Sequence, residues 1–141
     1  MASWKKYKED FILLLEAGFI AVNQADEDSA AKLFKAAALL EPKNPLPKVG
    51  VGYLHLHKLE LKQAIAAFEE VLTADPGNDM AKAFLGLAMT MQPSSLERGE
   101  KLLEQTLKSH DPMIKKLSDT SIDFVERFIK KSPGPAGQPR K

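Results

Sequence analysis

The order of apolar and polar positions along this chain repeats with a period of thirty-four residues. The stretch AAKLFKAAALLEPKN, from Ala30 to Asn44, is followed at that distance by AIAAFEEVLTADPGN, from Ala64 to Asn78. Each copy has small alanines, a phenylalanine, an apolar end, an acid, a proline and an asparagine in the same order. Because a fixed period of this length is typical of stacked helical repeats, the pattern predicts pairs of helices.

Capping residues and prolines set the expected helix boundaries. Asn44 and Asn78 are predicted to be N-caps, and Pro45 fits the first turn of the helix that follows Asn44. Ser94 and Glu97 are predicted to form a capping box that starts a later helix. The pattern as a whole predicts seven helices, at about 3–23, 27–40, 45–58, 61–74, 79–91, 95–109 and 113–131.

Three evenly spaced glycines predict how the helices pack in pairs; they are Gly18, Gly52 and Gly86. We expect a glycine in the first helix of each pair to let the second helix approach closely, with Phe34 or Phe68 filling the adjoining space. The third copy is weaker, because Gly99 takes the place of the alanine and Leu103 that of the phenylalanine.

These residues and their spacing resemble the tetratricopeptide repeat. The resemblance implies an all-α fold, a right-handed superhelix of three helix pairs at about 11–44, 45–78 and 79–112, followed by a C-terminal capping helix at 113–131. Residues 1–131 are then expected to form a single domain. The remaining residues, 132–141, are rich in proline and glycine and are predicted to be a disordered tail.

Composition excludes several classes of function. The 141 residues have a net charge of +1 and no cysteine, so neither nucleic-acid binding nor disulfides or thiolate metal sites are expected. No signal peptide or membrane span is expected, and a cytoplasmic protein is predicted. His55 and His57, two residues apart on a helix, point to different sides and are not expected to share a metal. Without a catalytic motif, we expect neither an enzyme nor a cofactor.

In tetratricopeptide proteins the first helix of each pair lines a concave groove that binds peptides. The resemblance places the ligand contacts of this chain at Ile12, Leu15, Phe19, Val22, Leu46, Val49, Tyr53, Leu56, Met80, Phe84, Leu87 and Met91. All are apolar or aromatic, so the basic clamp that binds chaperone carboxylates is absent and an apolar or amphipathic helix is the expected ligand. Two alternatives remain: some of these residues are core, or the C-terminal helix fills the groove.

The start of the first helix continues an apolar stripe beyond the first repeat. Trp4, Tyr7 and Phe11 lie on this stripe, and we expect a second interface there for another copy of the chain or a second small chaperone. The alternative is that these side chains pack onto the second helix of the first repeat.

Size, repeats and an apolar groove together resemble the export chaperones of bacterial type III secretion. The resemblance implies a chaperone that masks a helical segment of a needle or translocator subunit, the needle subunit being favoured. Two other hypotheses are a general repeat scaffold for protein assembly and a membrane-associated adaptor, although the latter needs an anchor that the C-terminal segment does not offer.

Overall fold

The computed structural model describes residues 4–130, and every regular element among them is helical. Their contacts divide into two compact units, unit 1 ending at Gly77 and unit 2 beginning at Asn78. The grouping of three repeats into one domain stays a prediction. The predicted tail at 132–141 lies outside the described residues.

Unit 1 contains four helices, α1 (Trp4–Asn23), α2 (Glu27–Leu40), α3 (Leu46–His57) and α4 (Leu61–Ala74). Helix α1 packs along α2 and α3 along α4, while α3 also contacts both α1 and α2. The predicted helices at 27–40 and 61–74 have the same ends as α2 and α4. The four helices predicted for this part of the chain are confirmed.

The period of thirty-four residues is also present in the backbone of the two turns of unit 1. Ala25 and Leu59, one in each turn, have left-handed φ angles of 60° and 59°. In both turns the N–H of the next residue donates to the carbonyl five residues before it. The N···O distance is 2.8 Å from Asp26 in the first turn and 2.9 Å from Glu60 in the second. The same turn therefore joins α1 to α2 and α3 to α4.

Both predicted asparagine caps are present. The Asn44 side-chain oxygen accepts from the backbone N–H of Leu46 at 3.0 Å, and the Asn78 oxygen accepts from Ala81 at 3.0 Å. Pro45 has helical dihedral angles immediately before α3. These side chains satisfy backbone donors that a helix start leaves unpaired.

Glycines and phenylalanines form the core of unit 1. A Cβ added to Gly18 would lie 2.5 Å from the Phe34 ring, and one added to Gly52 would lie 2.5 Å from the Phe68 ring. The predicted glycine–phenylalanine pairs are confirmed. The Phe34 ring also contacts Gly50, so α3 receives a phenylalanine from α2 and another from α4.

Unit 2 contains α5 (Asp79–Thr90), a 3-10 turn (Pro93–Ser95), α6 (Leu96–Thr106), α7 (Pro112–Phe124) and a π-helical turn (Val125–Lys130). Helix α5 packs along α6, and α7 contacts both. The prediction of a sixth helix reaching 109 is wrong, because the N–H groups of Lys108 and Ser109 bond three residues back and tighten the chain after α6.

The capping box predicted at Ser94 and Glu97 is also wrong. Ser94 lies inside the 3-10 turn, and α6 follows Ser95, whose side chain makes no capping bond. Instead the Ser95 hydroxyl donates to the Met89 carbonyl at 2.8 Å. This bond ties the turn back to the end of α5.

Candidate functional site

Two aromatic rings on neighbouring helices of unit 1 form a partly exposed surface. The ring centres of Phe19 on α1 and Tyr53 on α3 are 5.5 Å apart. Phe19 also meets the core ring of Phe34 edge-on at 5.2 Å. The aromatic pair therefore packs against the core through Phe19, and both rings are partly exposed.

Polar contacts hold Tyr53 in place. Its hydroxyl donates to the Asn23 side-chain oxygen at 2.6 Å, and His57 Nε2 lies 3.3 Å from the same hydroxyl. Burial raises the pKa of the Tyr53 hydroxyl above its usual value. Because two side chains contact its hydroxyl, the neutral Tyr53 side chain offers a preorganised contact surface.

Ile12 and Leu46 extend this surface along the two helices. Each precedes its aromatic neighbour by seven residues, two helical turns, so it lies on the same side of its helix. Ile12 is 47% exposed, and Leu46 is half-buried against the core. We call this surface the α1–α3 face; it consists of Ile12, Phe19, Asn23, Leu46, Tyr53 and His57.

The other four groove residues predicted for unit 1 lie in its core. They are Leu15, Val22, Val49 and Leu56, all at most 7% exposed. Each belongs to a helix, α1 or α3, that packs against two or more neighbours, and this side of each helix faces inward. Their role is packing in this structure, and they are not accessible to a partner.

In unit 2 the predicted groove residues form one stripe on α5 and the residue that follows it, Met91. Their spacing of four, three and four residues keeps them on one side of the helix, and all four are half-buried; they are Met80, Phe84, Leu87 and Met91. We call them the α5 stripe. Asn78 fixes the start of this helix through its cap.

The predicted second interface is divided between surface and core. Trp4 is 79% exposed and Tyr7 43% exposed, whereas Phe11 is buried at 3%. Helix α1 has 20 residues and α2 has 14, so at about 1.5 Å per residue α1 is longer by roughly 9 Å. The first turns of α1 therefore present Trp4 and Tyr7 to solvent.

Asn23 and His57 are site residues that sequence reasoning missed. They are thirty-four residues apart, at the same position of successive repeats, and both lie beside the Tyr53 hydroxyl. The repeat period places both at the same position, but the groove prediction names apolar and aromatic residues only, and neither asparagine nor histidine is among them.

Within residues 4–130, no three potential ligands among His, Asp and Glu come together in a way that could hold a metal ion. His55 Nδ1 lies 2.8 Å from Glu60 Oε1.

Of the helices within residues 4–130, none is at once long enough and apolar enough to cross a membrane.

Comparisons with known proteins do not add a family. No protein-family model matches the chain, and no curated protein matches it significantly.

Proposed function

We propose that this chain is a tetratricopeptide-repeat chaperone for a substrate of bacterial type III secretion, with the needle subunit as the favoured client. It binds an apolar or amphipathic helix of the client in the cytoplasm and prevents assembly before export. The proposal includes the right-handed superhelix of three helix pairs, in which α7 is the cap.

The α1–α3 face is the observation that carries this proposal. It offers aliphatic and aromatic side chains, with Glu16 as the one carboxylate between Ile12 and Phe19 on α1, and the Asn23 and His57 contacts hold Tyr53 in one position. Such a face suits the apolar stripe of an amphipathic helix. Burying four large client side chains contributes roughly 6 to 12 kcal/mol before the losses of association are subtracted.

Two further surfaces fit the same function. The α5 stripe presents adaptable methionines, Met80 and Met91, at both ends of an aromatic and a leucine side chain. The exposed Trp4 and Tyr7 suit a second small chaperone. These assignments rest on exposure and residue type, and each can be tested separately.

The α1–α3 face is tested by Ile12→Glu, with Leu39→Glu as its matched control. Leu39 is 74% exposed on α2, outside the face, so both variants add one carboxylate at an exposed aliphatic position of unit 1. We expect Ile12→Glu to weaken binding of a purified needle subunit about 10- to 100-fold. The bound client no longer buries the Ile12 side chain, and a carboxylate is buried in its place. Fluorescence anisotropy of the labelled subunit measures this.

The α5 stripe is tested in the same assay by Met80→Glu against Met113→Glu. Met113 lies on α7 and is 79% exposed. Weaker binding for Met80→Glu alone assigns the stripe to the client site, whereas equal binding of both variants removes it from that site.

Client solubility separates the chaperone from the general scaffold. A chaperone keeps a needle subunit in solution that precipitates alone, and Ile12→Glu restores precipitation. A scaffold binds subunits that stay in solution without it. If neither needle nor translocator subunits bind the intact chain, the proposed function is wrong.

A further inference from the structure

A cleft opens in unit 1 between α2, α3 and α4. It has a volume of about 640 Å³, within the range of about 300 to 1,000 Å³ that is typical of ligand sites. None of the residues that line it belongs to the α1–α3 face. The cleft is therefore separate from the α1–α3 face.

The walls of the cleft are apolar. They include Val51 and Leu54 from α3, flanked by the small side chains Ala31 and Ala38 of α2 and Ala74 of α4. The small residues on the flanking helices leave the space between them open. From Ala31 to Ala38 the cleft is about 10 Å long, at about 1.5 Å per residue, which matches two turns of a helix.

The rim of the cleft is basic. Lys35, Lys43 and Lys48 line it, against one carboxylate among the lining residues, Glu70. Glu70 pairs with Lys48 at 3.0 Å, and within residues 4–130 neither Lys35 nor Lys43 takes part in an ion pair. Two cations beside an apolar wall are thus left without a partner charge.

We propose that this cleft binds an acidic peptide segment of a partner chain, with two or three apolar side chains flanked by carboxylates. The apolar side chains pack on Val51 and Leu54, and the carboxylates face Lys35 and Lys43. The complementary charge favours such a segment over a neutral or basic one.

Segments of this same chain fit the cleft less well. Residues 132–141 carry two cations, no acid and no large apolar side chain. The exposed start of α1 carries Lys5, Lys6 and Lys8 against Glu9 and Asp10, so a second copy docking through it brings no net negative charge to the positive rim. The charge balance selects a different, acidic chain.

The test uses the full chain and a fluorescein-labelled peptide of leucine and glutamate, two or three helical turns long. A peptide with lysine in place of glutamate is the comparison. We expect saturable binding of the acidic peptide alone, measured by anisotropy. The Lys35→Glu/Lys43→Glu variant should bind about tenfold more weakly, since each reversal replaces an attraction with a repulsion. The control, Lys62→Glu/Lys101→Glu, has the same charge change at exposed positions outside the cleft.

A steric variant keeps the result decisive if the charge variant does not fold. Ala74 is an exposed lining residue, so Ala74→Trp is expected to fill the cleft, abolish peptide binding and leave the helical circular dichroism unchanged. When the acidic peptide is added to the unmodified chain, the amide chemical shifts of Lys35 and Val51 should change.

Four outcomes overturn the proposal: no saturable binding, equal binding of the lysine peptide, equal loss in the control, or shifts confined to the α1–α3 face. Self-association of the chain through the cleft, seen by light scattering and abolished by Ala74→Trp, would assign it to a second copy instead. None of these outcomes depends on whether a needle subunit binds.

Discussion

Gly99→Ala is expected to destabilise unit 2, although alanine favours a helix over glycine. A Cβ at this position of α6 would lie 2.6 Å from the Gly86 carbonyl oxygen and 2.7 Å from the Thr90 backbone nitrogen. Both neighbours are backbone atoms of α5, so neither can rotate away. The two helices must move apart to accept the methyl group.

The two opposing effects differ in size. Replacing glycine by alanine inside a helix stabilises by about 1 kcal/mol. Overpacking costs about 1 to 3 kcal/mol, and we expect the upper end here because the contacts are with backbone. The net loss is then about 2 kcal/mol, which lowers Tm by roughly 5 to 10 °C.

Thermal and urea unfolding followed by circular dichroism measure this difference. Gly77→Ala is the control, because a Cβ there meets nothing within 4 Å and the backbone is not left-handed. It should be neutral or stabilising by up to about 1 kcal/mol. If Gly99→Ala is as stable as the wild type or more so, the close approach of α5 and α6 is refuted, and with it the glycine–glycine contact of the third helix pair.

Two further predictions concern the turn between α3 and α4. Leu59→Gly should stabilise the chain by about 1 kcal/mol in urea unfolding, because glycine adopts the φ of 59° without strain; no gain would contradict this. The hydrogen bond from His55, followed by the charge of Lys58, lowers the Glu60 pKa below its usual 4.5, so the carboxylate stabilises the fold above that pH and ceases to do so as pH falls through its folded pKa. Glu60→Gln should therefore be less stable than wild type near pH 6 and equal to it in acid, and a difference that persists in acid would refute the linkage.

The helix boundaries of unit 1 could be predicted from the sequence because the signals are local and occur twice. A proline and an asparagine follow α2, and the same two residues follow α4, and caps act within a few residues of themselves. The left-handed turns carry no such signal. The residues with positive φ are Ala25 and Leu59, and neither alanine nor leucine indicates a positive φ.

The groove residues could be predicted only in part, because exposure depends on how each helix is rotated. Leu15 is about 60° around α1 from Ile12, since three residues turn a helix by about 300°. That rotation separates a core side chain from one that is 47% exposed. Repeat positions identify the helix that faces a ligand, but contacts of α1 with α2 and α3 decide which of its side chains remain available.

The cleft could not be predicted from the repeat, because three helices form it together. Ala38 and Ala74 are small residues in the copies quoted above, and small residues in a repeat usually indicate close helix packing. Here they border an open space instead. Only the relative positions of α2, α3 and α4 distinguish these two uses of alanine.

The two candidate surfaces of unit 1 require partners of different chemistry. The α1–α3 face is built on Phe19 and Tyr53 and has one charged side chain beside it, Glu16, so binding there depends mainly on apolar area and changes less with salt. The cleft has Lys35 and Lys43 at its rim, and the attraction between their exposed charges and a carboxylate weakens as the Debye length falls from about 10 Å at 0.1 M salt to about 3 Å at 1 M. A purely apolar helix can satisfy the first surface and leaves the lysines of the second unpaired. A client that occupies both must therefore carry its acids on a segment outside its apolar stripe.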